Sequence, residues 1–187
     1  MSYMVVKKDR YTTGEKSLTK KEYDKLISVV DNLEDETLLK LAISTGIRRE
    51  DIVKIKIADI IEENDQTKLN FYESKKRRIW TVPLSPEIVL LIKKLVNSRG
   101  KLQSDLLITY SGRTAHRRLQ KYCEKAGIPQ RPFHALRATC IKFCQTAGWS
   151  AEQVSRLTGD TIAVIQIHYS TPSTTEMQEV VNNKPII

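Results

Sequence analysis

The sequence has few of the features that mark metal, redox or membrane proteins. Its three cysteines form no CxxC pair, Cys140 and Cys144 stand one helical turn apart, and His168 is too far along the chain to complete a metal-binding pattern. We therefore expect neither a disulfide nor a metal site. No apolar run approaches the ~18 residues of a membrane-spanning helix, and the N-terminus lacks the apolar stretch of a signal peptide. We expect a protein that acts inside the cell and does not bind membranes.

Repeats and phosphate-binding loops are also missing. The chain has no internal repeat, no low-complexity tract and no glycine-rich loop, which excludes the P-loop and dinucleotide-binding classes. We expect no cofactor.

Positive charge, in contrast, is abundant, because 31 Lys and Arg against 22 Asp and Glu give a net charge of +9. Such a charge suits a polyanionic partner, either nucleic acid or an anionic membrane surface.

The 187 residues, of which 40% are hydrophobic, are enough for one domain with a good core. Thr19 and Glu22 form a capping-box pattern before apolar residues at helical spacing. Farther on, segments rich in β-branched and aromatic residues alternate with polar turns, which predicts strands. The fold class expected is α+β and mainly α-helical, with helices around a small three-stranded antiparallel sheet. Helices are predicted from near 19 and over 34–44, 49–54, 85–100, 113–126, 133–147, 150–157, 162–169 and 174–181, and strands over 58–61, 69–73 and 79–84.

Two segments in the first half of the chain place cations where helix and strand formation do not require them. Gly46 permits a sharp change of direction after an apolar helix, so Arg48 would lie at a helix start and could face an anion. A surface arginine at a helix junction is the simpler alternative. The cationic run 75–78 lies between two predicted strands, so it would form a hairpin tip that can set a lysine beside a phosphate. A solvated basic turn is the usual explanation of such a run.

Two segments in the second half carry further candidates. His134 and Arg137 are three residues apart on a new helix and would share one face, which suits a phosphate clamp. A lone histidine on a helix is more often structural, however. Asp160 follows a Leu-Thr-Gly sequence, and Tyr169 comes nine positions later. By itself Tyr169 reads as an ordinary amphipathic tyrosine.

Taken together and in this order, the four segments resemble the signature of the tyrosine recombinases, the phage-type integrases. Residues 45–52, TGIRREDI, are similar to the family's T-G-[LM]-R-x-x-E-[LI] segment, with Asp51 in place of the usual Glu. Lys75 matches the family's hairpin lysine by its distance to the strand sequence V-P-L at 82–84, and Lys76 is one residue away. His134 to Arg137, HALR, resembles the H-x-L-R box and is the strongest single match.

The last part of the signature is less regular. Residues 157–160, LTGD, and Tyr169 resemble the family's L-G-H segment and its nucleophilic tyrosine, but Asp160 stands where the family usually has His or Trp. The resemblance implies a catalytic domain in which Tyr169 attacks a DNA phosphodiester and forms a 3′-phosphotyrosyl link without metal or ATP. The catalytic residues it implies are Arg48, Lys75, His134, Arg137, Asp160 and Tyr169, and the expected DNA contacts are Lys76, Arg77, Arg78 and Arg131.

The resemblance also implies a domain layout and partners. Residues 1–16 would be a linker or N-terminal arm and 17–187 the catalytic domain, with a C-terminal tail from about 170. The DNA-binding domain that usually precedes it would be absent from this chain. The expected partners are double-stranded DNA and further copies of the chain in a tail-mediated homo-tetramer, and the expected source is a mobile element such as a phage, virus or plasmid. Two alternatives stay open, a type IB topoisomerase and a non-catalytic DNA-binding protein with the same fold.

Overall fold

The computed structural model describes residues 16–169 and 174–183. The predicted arm, 1–16, therefore lies outside the described residues except for its last position. Among the described residues, three α-helices come before the sheet: α1 (Lys20–Ser28), α2 (Leu33–Thr45) and α3 (Arg49–Ile52). The capping box at the start of α1 is confirmed, because Thr19 Oγ1 accepts from the Glu22 amide and the Glu22 carboxylate accepts from the Thr19 amide.

The sheet contains β1 (Ile60–Glu63), β2 (Gln66–Glu73) and β3 (Arg78–Pro83), antiparallel in the order β1-β2-β3. The prediction of three antiparallel strands is confirmed, with their bounds shifted by at most three residues. β1 begins later than expected because residues 57–59 form a 3-10 turn, held by hydrogen bonds from the amides of Ile57 and Ala58 to the carbonyls of Asp105 and Gln103.

In the part of the chain that the structure describes, six helices follow the sheet, and their order and type agree with the sequence prediction. Ser85 caps the first of them with Pro86 at its first position, and Ser150 and Gln153 form the expected second capping box. Cys123, Cys140 and Cys144 are free thiols. No helix in the described ranges is long and apolar enough to cross a membrane. The helices are α4 (Pro86–Arg99), α5 (Gly112–Lys125), α6 (His134–Thr146), α7 (Ala151–Thr158), α8 (Ile162–Tyr169) and α9 (Thr174–Asn183).

Helix α2 is the centre of the core. It packs against α4 and α6, and α6 in turn packs against α7 and α8. Most of α2 is buried all round, as expected of a helix that is surrounded on every side. Because α2 ends at Gly46 and α6 begins at His134, this packing brings two of the four signature segments together.

Candidate active site

A cleft of about 580 Å³ opens between the start of α3, the tip of the β2–β3 hairpin and the start of α6. Four of the six predicted catalytic residues line it, although they come from three separate segments of the chain. Phe133 and Ile47 supply apolar parts of its wall. The ionisable lining includes Arg48, Arg49, Lys75, His116, His134 and Arg137.

Gly46 sets the position of Arg48. The glycine ends α2 in the left-handed conformation, with φ of 67°, which residues with a side chain rarely adopt. A Cβ atom there would also lie 3.0 Å from Thr158 Cγ2. The turn leaves Arg48 as the N-cap residue of α3, with its side chain only 22% exposed and directed into the cleft.

Arg137 is almost fully buried, with 3% of its side chain exposed. Its Nη1 donates to the Gly46 carbonyl, and its Nη2 donates to the Thr158 carbonyl at 2.8 Å. Its Nε donates to Asp160 Oδ2 at 3.0 Å, and Nη2 lies 2.7 Å from Asp160 Oδ1. One guanidinium thus joins the end of α2, the end of α7 and the segment after it.

Asp160 is an acceptor shared by both arginines. In addition to its contacts with Arg137, its Oδ1 accepts from Arg48 Nη2 at 3.4 Å. Gly159 places it there by ending α7 with φ of 76°. The Asp160 carboxylate therefore orients Arg48 as well as Arg137.

Glu73 is a further member of the site that sequence reasoning missed. Its side chain is 2% exposed, and its two oxygens accept from Arg48 Nη1 and, at 2.8 Å, from Arg78 Nε. The signal was present in the sequence, because Leu69, Phe71 and Glu73 alternate onto the buried face of β2. A carboxylate at the third such position needs a cationic partner.

The hairpin tip separates the two candidate lysines. Lys75 is exposed and lines the cleft, whereas Lys76 Nζ donates to the carbonyl of Gly159. The Asp51 carboxylate accepts from the Ser74 amide at 3.2 Å and so fixes the first residue of the turn. This geometry favours Lys75 as the residue that faces a substrate in the cleft.

The other predicted DNA contacts, Arg77, Arg78 and Arg131, differ in their exposure and in their partners within the protein. Arg77 is exposed at the tip, with φ of 52°. Arg78 is turned towards the protein, bound to Glu73 and stacked over Trp80 with 3.8 Å between its Cζ and the ring centroid. Arg131 donates to Glu22 at 2.8 Å. Arg77 is thus more accessible than Arg78 and Arg131, and the DNA-binding roles of all three stay predictions.

His134 lies at the first position of α6, exposed at the mouth of the cleft. Partial desolvation by the cleft walls lowers its pKa from the usual value, and the positive charge of Arg137 lowers the pKa further. Its imidazole is therefore neutral at physiological pH and can accept a proton. The described residues contain no cluster of three or more His, Cys, Asp or Glu arranged to hold a metal ion.

Tyr169 is the last residue of α8, and the position of its side chain lies outside the described residues. Helix α8 is attached to the site through its packing on α6 and α7, with Ile165 fully buried between them. Tyr169 is therefore the last residue of a helix that packs directly on α6, the helix that carries Arg137.

The family model described as the phage integrase family matches residues 16–173, a range that includes the whole cleft and Tyr169. This chain belongs to the phage integrase family. Curated relatives named tyrosine recombinase XerA are 26% identical over 144 residues in Saccharolobus solfataricus and 32% identical over 136 residues in Pyrococcus furiosus. These alignments cover 77% and 65% of this chain but only 48% and 45% of the relatives, so the chain spans about half their length.

Solved structures agree on the fold of this integrase-family domain. A crystal structure of XerA recombinase matches with a TM-score of 0.75 at 19% identity, over 91% of this chain and 66% of that one. The catalytic core of lambda integrase matches with a TM-score of 0.64 at 20% identity, over 76% of this chain and 90% of that one. The expected fold class, that of a tyrosine recombinase catalytic domain, is confirmed.

A row of cations on α5 is the second feature that sequence reasoning missed. Arg113, Arg117 and Lys121 are exposed at four-residue spacing, which puts them on one face of the helix. The row begins beside the cleft, because His116 lines the cleft and Gly112 lies against Arg49. The spacing itself was a visible signal, and it predicts a surface that can follow a phosphate backbone away from the cleft.

The pKa of His134 provides a test of this electrostatic arrangement. We expect the pKa of the His134 ring to lie below the usual histidine value. NMR of labelled histidines as a function of pH measures this pKa, and a His134→Asn variant assigns the signal. The negative charge of Asp160 opposes the downward shift. Asp160→Asn should therefore lower the pKa of His134 further, and a rise would contradict the arrangement.

Proposed function

We propose that this chain is the catalytic part of a site-specific DNA recombinase, which cleaves and rejoins double-stranded DNA through a 3′-phosphotyrosyl intermediate. The observation that carries the proposal is the convergence of Arg48, Lys75, His134 and Arg137 on one cleft in a chain of the phage integrase family. The relatives named tyrosine recombinase support it.

In the proposed reaction the Tyr169 oxygen attacks the phosphorus of a DNA phosphodiester. A bond forms between tyrosine and phosphorus, and the bond from phosphorus to the 5′-oxygen breaks. Arg48 and Arg137 stabilise the charge on the non-bridging oxygens, for which guanidinium groups suit because they stay protonated. This charge does the work that a metal ion does in other phosphoryl transfers.

Two protons move in this step. Lys75 gives one to the leaving 5′-oxygen, and neutral His134 takes the other from the Tyr169 hydroxyl; where His134 hydrogen-bonds the phosphate instead, water takes the tyrosine proton. Because the phosphotyrosyl bond conserves the energy of the phosphodiester, the 5′-hydroxyl of a partner strand can later attack it without ATP. Asp160 acts in the site through the two arginines that it contacts.

Two rival functions share parts of this chemistry or fold. A type IB topoisomerase would use the same Arg, Lys and Tyr chemistry, but the relatives and solved structures that match are recombinases and integrases. A non-catalytic DNA-binding protein is suggested only by Asp160, which is an acceptor where a phosphate needs donors. The source in a mobile element, and action inside the cell where DNA is found, belong to the proposal.

The formation of a covalent adduct tests the proposed function directly. A pool of nicked duplexes with randomised sequence lets the cleaved end diffuse away, so an active enzyme stays linked to DNA after denaturation. We expect a denaturant-resistant adduct, mapped to Tyr169 by mass spectrometry, and none from Tyr169→Phe. A protein that binds the pool yet forms no adduct would be the non-catalytic alternative.

The roles of the two lysines can be separated with DNA whose 5′-bridging oxygen is replaced by sulfur, which leaves without a proton. We expect Lys75→Ala to slow cleavage of normal DNA by about 10²- to 10⁴-fold, as for the loss of a general acid. The DNA with the sulfur substitution should restore the cleavage rate of Lys75→Ala. It should not rescue Arg48→Ala or Tyr169→Phe, whose defects lie in charge stabilisation and attack.

Lys76→Ala is the matched control for this experiment. Because Lys76 binds the Gly159 carbonyl, its loss should loosen the hairpin and slow oxygen and sulfur substrates alike. Rescue of Lys76→Ala by sulfur, with Lys75→Ala still slow, would assign the acid to Lys76. Rescue of neither would place the acid outside the hairpin.

We also propose that the chain assembles as a homo-tetramer on DNA through its C-terminal tail. One solved neighbour is a lambda integrase tetramer bound to a Holliday junction. Met177 and Val181 are exposed one turn apart on α9, so they can form an apolar contact with another copy. A groove of about 510 Å³ beside Leu157 and the exposed Trp149 offers an apolar surface for it.

Deletion of 174–187 tests the tail. It should reduce recombination between two DNA sites much more than it reduces single-strand cleavage, because only recombination needs several copies. The replacement of both Met177 and Val181 by serine, which keeps the tail length, should have the same effect. An equal loss of cleavage and recombination would contradict the proposal.

A further inference from the structure

The two arginines proposed to bind the phosphate already share one anion within the protein. Asp160 contacts both guanidinium groups. We propose that Asp160 is an internal counter-anion, and that a DNA phosphate enters the site by displacing Asp160 from Arg48 while Asp160 stays paired with Arg137. This inference rests on the proposed function, since it concerns how the same site admits its substrate.

The contact with Arg137 is the permanent half of the arrangement. Asp160 takes two nitrogens of Arg137, at 3.0 and 2.7 Å, and the guanidinium is almost fully buried. Two backbone carbonyls occupy further N–H groups, so four of the five donors of Arg137 are used. Separation of this pair would leave a buried charge uncompensated, which is expensive.

The contact with Arg48 is the exchangeable half. It is a single hydrogen bond at 3.4 Å, at the long limit for such bonds, and Arg48 is more exposed and lines the cleft. Glu73 holds the other terminal nitrogen of Arg48, so the guanidinium keeps its place when Asp160 is displaced. A phosphate oxygen can thus replace Asp160 Oδ1 with little rearrangement.

The charges around Arg48 show what this exchange changes. Arg48, Arg78 and Arg137 carry three positive charges, against two negative charges on Glu73 and Asp160. The net charge of these five groups is therefore +1 with the Asp160 carboxylate and would be +2 without it. Because like charges at such distances repel, the Asp160 carboxylate weakens phosphate binding even where it does not block a donor.

The test is the equilibrium binding of a fluorescent DNA duplex at fixed salt, measured by anisotropy. Asp160→Asn removes the charge and keeps an oxygen that can accept from Arg137, so it should bind DNA about tenfold more tightly. Asp160→Glu keeps the charge and should stay near the unmodified protein. Tighter binding by Asp160→Asn but not by Asp160→Glu separates this electrostatic role from a purely structural one, because both substitutions alter the contacts of the side chain and only one removes its charge.

Two controls isolate the contact with Arg48. Glu50→Gln removes one negative charge from the cleft wall without touching the arginine pair, so it should tighten binding less than Asp160→Asn does. In an Arg48→Gln background the gain from Asp160→Asn should fall clearly below tenfold, because the competition is lost with Arg48 and only the repulsion by the Asp160 charge remains.

The inference is overturned if Asp160→Asn binds DNA no more tightly than Glu50→Gln, or if its gain is the same without Arg48. Thermal melting identifies a variant that fails to fold, and Asp160→Ser, whose hydroxyl can also accept from Arg137, then repeats the comparison under the same criteria. Binding of an intact duplex does not depend on covalent chemistry. A failure of the proposed function therefore appears in the adduct experiment, and a failure of this inference in the binding experiment.

Discussion

The burial of the Arg137 guanidinium is the constraint on which the rest of the site depends. A buried charge must be paired and its N–H groups must be hydrogen-bonded, because an unpaired buried charge strongly destabilises the folded protein. Here the partners are the carbonyls of Gly46 and Thr158 and the carboxylate of Asp160. These groups lie far apart in sequence, so the condition that satisfies Arg137 also fixes the end of α2, the end of α7 and the segment that leads into α8.

The same region holds the hairpin. The last turn of α7 leaves carbonyl groups without intrahelical partners, and cations near such an end are favourable. Lys76 and Arg78 both donate to the Gly159 carbonyl, and Arg156 and Arg78 both stack on Trp80 of β3. The β2–β3 hairpin is therefore attached to the end of α7 next to Arg137, and this attachment leaves Lys75 on the cleft side.

The sequence predicted the helices and the sheet well because their signals are local. Capping residues, apolar spacing and the left-handed glycine at position 46 all act within a few residues. The start of β1 was misplaced because the 3-10 turn before it depends on carbonyls of Asp105 and Gln103, more than forty residues away. Glu73 and the cationic row on α5 had local signals in strand and helix spacing, so they could have been found.

The pairing of Asp160 with Arg48 could not have been found in this way, since the two are 112 positions apart and no spacing rule connects them. Sequence comparison alone makes Asp160 look like an acceptor in the wrong place. In the structure Asp160 lies between two guanidinium groups. These groups would repel each other without an anion between them. Asp160 meets that need within the protein. The arginines can therefore be held in position before any phosphate arrives, and the opposing cost is that the phosphate must compete for Arg48.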